Sequence, residues 1–222
     1  MAEKMIVTIG LMGGTGQIGP GLARRWASAG YRVLIGSRQA EKAQKIAEEL
    51  NRELGLETIL GFENLEAARQ ADICVLTVKA DAHQSAISGL REALQGKILV
   101  DTTARVDYKN PSPPAPPSAA MLAQEALGPD VRVVAAFQTV PAHKLKTGVG
   151  EPLEMDVLVC SDDVEAAEEV IKLAQGANLN AFYAGGLGNA IVLEGMTALI
   201  MAMNKHYGSR TGSMRVTGLP VE

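Results

Sequence analysis

Hydrophobic and polar positions fall into short apolar runs that alternate with longer amphipathic stretches. Met5 to Leu11 reads as a first strand, and Gln17 to Ala29 as a helix with Leu22, Ala23, Trp26 and Ala27 on one face and Gly30 as its stop. Tyr31 to Ile35 predicts a strand and Ala40 to Leu54 a charged amphipathic helix. Glu57 to Gly61 predicts a strand, Glu63 to Gln70 a short helix, Asp72 to Val78 a strand, Asp81 to Leu94 a helix and Lys97 to Asp101 a strand. Strands separated by helices of this length imply βαβ units and a parallel sheet covered on both faces.

Residues 110–118 read NPSPPAPPS, and five prolines in nine residues exclude helix and central strand. The segment is expected to be a stiff crossover loop, because the βα rhythm resumes after it. Ala119 to Leu127 reads as helix, Val131 to Phe137 and Asp156 to Cys160 as strands, Val164 to Ala174 as helix and Asn180 to Tyr183 as a last strand. The fold class is therefore α/β, a Rossmann-type doubly wound, mostly parallel sheet. Residues 1–184 are expected to form the dinucleotide-binding domain, and 185–222 a small C-terminal helical part.

The final helix, from about Gly188 to His206, leaves almost no polar face. A helix apolar all round must be buried on several sides. A symmetric partner is a natural second wall, so a homodimer is expected.

The strongest chemical signal is LMGGTGQIGPG, residues 11–21. Gly14, Gly16 and Gly19 give G-x-G-x-x-G between a strand and a helix. In the expected roles Gly14 permits the tight turn, Gly16 lets backbone approach a diphosphate and Gly19 lets helix pack on strand. The diphosphate then meets the unpaired N–H groups at the helix N-terminus. At the end of the second strand an NAD site would carry an acid for the ribose hydroxyls. This chain has Gly36-Ser37-Arg38, with Lys42 one turn further on. No carboxylate repels a 2′-phosphate there and Arg38 offers a guanidinium fork, so the dinucleotide is NADP. Ser37 and Thr15 can add hydroxyl hydrogen bonds.

Composition narrows the rest. The chain has 222 residues, 47% hydrophobic and 21% charged, which is ordinary for a globular protein. Its 25 acids against 21 bases, a net charge of -4, advertise no nucleic-acid surface. Glu3 and Gly10 break a secretory pattern, and Ala190 to Met203, interrupted by Glu194, is too short for a membrane span. A cytoplasmic protein is expected. Cys74 and Cys160 sit in apolar runs and read as buried, reduced thiols.

No acid–base apparatus or metal site shows. His83 is placed at the surface or just behind the site, His143 in a loop facing the nicotinamide and His206 at the end of the last helix, none with a partner at catalytic spacing. No Tyr is followed four residues later by Lys, and there is no H-E-x-x-H or G-x-S-x-G. Such a site suits a hydride transfer, which needs positioning more than proton movement. Two other readings stay open: an NADPH reductase of another small acceptor (an imine, keto acid or metal chelate), and an NADP-binding sensor without catalysis.

The blocks GGTGQIG, GSRxxxKA, DICVLTV, AAFQTVPAHKL, DVLVCSDD and AGGLGNAIVLEGMTALIMAMNK, in this order over nearly the whole chain, resemble the NADP-dependent reductases of coenzyme F420. The resemblance implies a usually dimeric Rossmann protein that moves hydride between NADPH and the 5-deazaflavin ring of F420. It implies that Thr15, Gly16, Gln17 and Ile18 bind the diphosphate, and Ser37, Arg38 and Lys42 the 2′-phosphate. Val78 is then a nicotinamide-side contact and Ala142 the backbone that holds the carboxamide. Val140, Gly195 and Thr197 line the space where the two rings stack. The chain departs from the family pattern at Gln138, Ile191 and Gly195, where the family has His, Arg and Ser, and near Ala80, where it has Trp. Lys205, Arg210 and Arg215, with no acid between Gly195 and Val221, form a basic strip suited to the acidic tail of F420.

Overall fold

The computed structural model describes residues 6–220. Met5, the expected start of the first strand, Glu3 and Val221 lie outside them. The first half runs β1 (Thr8–Met12), α1 (Gly19–Ser28), β2 (Arg32–Ser37), α2 (Ala40–Leu54), β3 (Ile59–Glu63), α3 (Asn64–Gln70), β4 (Ile73–Leu76) and α4 (Ala80–Leu94). The second half runs β5 (Ile98–Asp101), α5 (Ala119–Leu127), β6 (Arg132–Ala135), β7 (Asp156–Val159), α6 (Val164–Gly176), β8 (Asn180–Tyr183) and α7 (Ala190–His206).

Six strands form a parallel sheet in the order β3-β2-β1-β4-β5-β6. The order reverses between β1 and β4, which opens a crevice at the carboxyl ends of those strands. The expected single parallel sheet is interrupted at β7. That strand pairs in parallel with β8 as a separate ribbon, and reaches β6 through one antiparallel bridge between Ala135 and Cys160. Residues 110–118 join β5 to α5 as an irregular crossover, as expected.

Alternate strand residues fill two cores. Ile35, Val75, Val100 and Val134 pack beneath α1, whose Trp26 is fully buried. Leu34, Leu76, Leu99 and Val133 pack on the other face with Leu90 and Leu127. Burial on both faces is why these strands read as continuous apolar runs. The bounds of α2 and α5 match the amphipathic pattern; α2 turns its Ala43, Ala47 and Leu50 inward and ends at Gly55, whose φ of 67 supplies a left-handed cap. The strand expected through Phe137 stops at Ala135, because Phe137 takes a left-handed φ of 70.

Helix α7 combines an open apolar stripe with a buried acid. Its apolar surface is not enclosed within the protomer: Val192, Leu199 and Met203 are 56%, 58% and 51% exposed. Its one acid is inside, with Glu194 1% exposed. With the short 3-10 turn before it, α7 makes a helical run over Leu187–His206 of 20 residues. By length and composition alone that is enough to cross a membrane, contrary to the shorter stretch read from sequence. Beyond α7 the chain runs back along β7, where the Asp156 N–H donates to Met214 O at 3.0 Å and the Val216 N–H donates to Asp156 Oδ2 at 2.6 Å.

Candidate active site

A cavity of about 900 Å³ opens at the crevice. One wall is the loop between β1 and α1. The tight turn falls on Gly13, with φ 70, and not on Gly14 as the motif suggested. The Gly13 N–H donates to Asn64 Oδ1 at 2.9 Å, so the first residue of α3 holds the loop; sequence reasoning missed this residue. Gly14 donates to the carbonyls of Leu11 and Gly36, and a Cβ on it would lie 2.7 Å from Leu11 O. A Cβ on Gly19 would run into the Gly14 carbonyl, so Gly19 packs the helix start on the loop itself and not on a strand. Helix α1 has no side-chain cap and no acid in its first turn. Its leading N–H groups therefore remain available to an anion.

Thr15, Gly16, Gln17 and Ile18 line the cavity, with Lys42 of α2 beside them. Val78 lines it from just beyond β4, which ends at Leu76 and not at Val78 as the apolar run suggested. Val140 and Ala142 come from the segment after β6, and Thr197 from α7. Four expected residues lie off the cavity wall. Gly14 sits behind it in the turn. Ser37 is buried at the end of β2, its Oγ accepting the Gln39 N–H at 3.3 Å, and Arg38 is exposed beside it. Gly195 points away, toward the proline-rich crossover; a Cβ on it would be 3.7 Å from Pro113. Of the basic strip only Arg210 lines the cavity, and Lys205 instead donates to Lys109 O at 3.0 Å.

The histidines correct the sequence reading. His83 is 6% exposed and its Nε2 lies 2.6 Å from Oδ2 of Asp101, at the end of β5. So one histidine does have a carboxylate partner, brought together because α4 follows β4 and β4 adjoins β5. Asp101 Oδ1 also accepts the Thr103 N–H at 2.9 Å, and Asp101 O accepts Gln138 Nε2 at 2.8 Å. His143 lines the cavity, and His206 stands edge-on to Tyr207 with ring centroids 4.7 Å apart.

Two charged residues shape the walls without lining them. Arg25, 1% exposed on α1, donates to the carbonyls of Leu145, Thr147, Gly148, Glu151 and Ala177. Burial holds its guanidinium below the ordinary pKa. Glu194 accepts the Ala119 N–H at 2.6 Å and the Arg105 N–H at 2.9 Å. Burial pushes the Cys74 thiol up to about 12 and the Cys160 thiol to about 11, as inert buried thiols require. Among the described residues no group of His, Cys, Asp or Glu could hold a metal.

A glycine-loop cradle at the switch point of a doubly wound sheet, facing a helix across one cleft, defines a dinucleotide-binding protein of the Rossmann class. The family model described as NADP oxidoreductase coenzyme F420-dependent matches residues 8–105. The F420-dependent NADP reductase of Methanothermobacter thermautotrophicus is 36% identical, covering 99% of this chain and 99% of that one. That of Methanocaldococcus jannaschii is 35% identical, covering 96% and 99%. A crystal structure from Arthrobacter sp. FB24 shares the fold, with a TM-score of 0.79 at 22% identity over 95% of this chain and 99% of that one. The chain belongs to the F420-dependent NADP reductase family.

Proposed function

We propose that this chain transfers a hydride directly between NADP(H) and the 5-deazaflavin coenzyme F420. The observation that carries the reading is one cleft walled by the glycine loop on one side and by α7 and the segment after β6 on the other. The residues present suit a dinucleotide. The loop excludes side chains at Gly14 and Gly19 by its own backbone, and α1 offers an uncapped N-terminus. NADP and F420, when bound, supply the carbons between which the hydride passes.

Thr15, Gly16, Gln17 and Ile18 hold the diphosphate by backbone N–H groups and the Thr15 hydroxyl. Lys42 comes from the cavity wall, and Ser37 and Arg38 from the adjoining end of β2, to the 2′-phosphate. Val78 and Ala142 seat the nicotinamide. Val140 and Thr197 flank the acceptor ring, and the apolar wall of Phe137 and Ile200 keeps water from the gap. No side chain gives or takes a proton in the hydride step. The protein works in the cytoplasm as a homodimer, with residues 1–184 binding the dinucleotide and 185–222 contributing pocket and dimer contact; the open apolar stripe of Val192, Leu199 and Met203 supports the dimer.

The test mixes protein, NADPH and F420 and follows the visible absorption of the deazaflavin. Bleaching that requires both NADPH and protein is expected. Tight NADPH binding without bleaching would overturn the reading and leave a sensor or a reductase of another acceptor.

A further inference from the structure

Two polar atoms among the described residues are buried without a partner: Gln138 Oε1 and Thr103 Oγ1. Both belong to residues that line the cleft. Both residues are fastened to one carboxylate residue, since Asp101 O accepts Gln138 Nε2 at 2.8 Å and Asp101 Oδ1 accepts the Thr103 N–H at 2.9 Å. The remaining carboxylate oxygen is held by His83 at 2.6 Å. The backbone just before Gln138 is strained, with Phe137 at a φ of 70, a conformation bulky residues rarely take. Phe137 is locked there edge-on against Trp26, centroids 6.0 Å apart.

A buried amide oxygen or hydroxyl left without a partner is unfavourable, and such atoms in a ligand cleft call for a ligand group. The orientation of Gln138 is not free. Its NH2 end is taken by the Asp101 carbonyl, which fixes the oxygen end as the acceptor. Thr103 keeps a hydroxyl proton to donate.

We propose that Gln138 and Thr103 form a subsite for a planar amide edge, with Gln138 Oε1 accepting its N–H and Thr103 Oγ1 donating to its C=O. Asp101 and His83 are positioning residues that hold the pair. The inference rests on the hydride-transfer reading for its ligands, which offer this edge in two places. One is the carboxamide of the nicotinamide, and the other the imide of the deazaflavin pyrimidine ring.

The experiment crosses a protein change with a ligand change. Wild type, Gln138→Leu and Thr103→Val are each titrated by calorimetry with NADPH and with its 3-acetylpyridine analogue, which keeps the C=O and lacks the N–H. The same proteins are titrated with F420 and with F420 methylated at the imide nitrogen. For the ligand that uses the subsite, Gln138→Leu and loss of the N–H each weaken binding about tenfold, and together no more than either alone. Non-additivity in the NADPH arm assigns the edge to the carboxamide, and in the F420 arm to the imide. Additive losses in both arms, or no loss from Gln138→Leu, overturn the proposal. Thr103→Val, nearly isosteric, serves should Gln138→Leu fail to fold: it weakens the ligand that uses the subsite and its N–H-deficient analogue alike, since both keep the C=O, and no loss for either ligand overturns the proposal. Because the arms read binding alone, a wild type that binds NADPH but never bleaches F420 would defeat the hydride-transfer reading and leave the NADPH arm of this test intact.

Discussion

Arg105 and Glu194 meet at 3.0 Å, joining the chain after β5 to the first half of α7 through an acid that is 1% exposed. Arg105 carries on to the Ala115 carbonyl at 2.9 Å, inside the proline-rich crossover. The pair therefore ties α7 to the long irregular connection between β5 and α5. Arg105→Ala leaves Glu194 buried with two N–H partners and no cation. A loss of about 3–5 kcal/mol in folding stability is expected, read by urea unfolding. A change within 1 kcal/mol would mean that the two backbone N–H groups alone suffice for the carboxylate.

Arg38 is the residue proposed to meet the 2′-phosphate. Arg38→Ala should weaken NADPH binding by about 1.5–3 kcal/mol, the range for a hydrogen bond to a charged group, while NADH is barely affected. The two Michaelis constants, measured side by side, decide the matter. An equal rise for both would remove Arg38 from the 2′-phosphate.

For assembly, the exposed stripe on α7 is the relevant surface. Met203→Glu places a charge in the proposed contact between protomers, and sedimentation should then show monomer where the wild type shows dimer. A wild type that sediments as a monomer at micromolar concentration ends the dimer proposal.

Alkaline stability should report the buried thiols. Cys74 is raised from 9.0 to about 12 in the folded protein, first by desolvation, so the folded state holds its proton more tightly than the unfolded chain. That contribution is whole below pH 9 and is lost as pH climbs toward 12. It amounts to about 4 kcal/mol at most. Cys74→Ala, corrected for its own effect at pH 7, should flatten the fall in unfolding free energy between those limits. An unchanged slope would show that the thiol does not ionise on unfolding in this range.

These residues also show what a sequence can disclose. The bounds of α2, α5 and β8 follow from local periodicity, and the loop from Thr15 to Ile18 from glycine spacing. Both signals reside in neighbouring residues. The pairing of His83 on α4 with Asp101 at the end of β5 becomes visible only when the carboxyl ends of β4 and β5 are set side by side. Glu194 looked like a blemish in an apolar helix, because its partners Arg105 and Ala119 lie far back in the chain. Gly195 shows the opposite failure: its place in a familiar block suggested the pocket, yet the rotation of α7 turns it toward Pro113.

Arg25 has a consequence of a mechanical kind. Its partners are all carbonyls, and most of them belong to the segment that follows Ala142, which has little regular structure of its own. A Cβ on Gly21, one turn earlier on α1, would lie 2.5 Å from the Leu145 side chain, so helix and segment also touch without a gap. The helix that begins at the glycine loop and the stretch proposed to seat the far end of the dinucleotide are thereby a single casting. Neither can shift without the other. The opposite jaw is held differently: α7 is fastened by the Glu194 carboxylate, by Lys205 on the Lys109 carbonyl and by the buried side chains of Ala190, Leu193 and Ala198, while Val192, Leu199 and Met203 stay open.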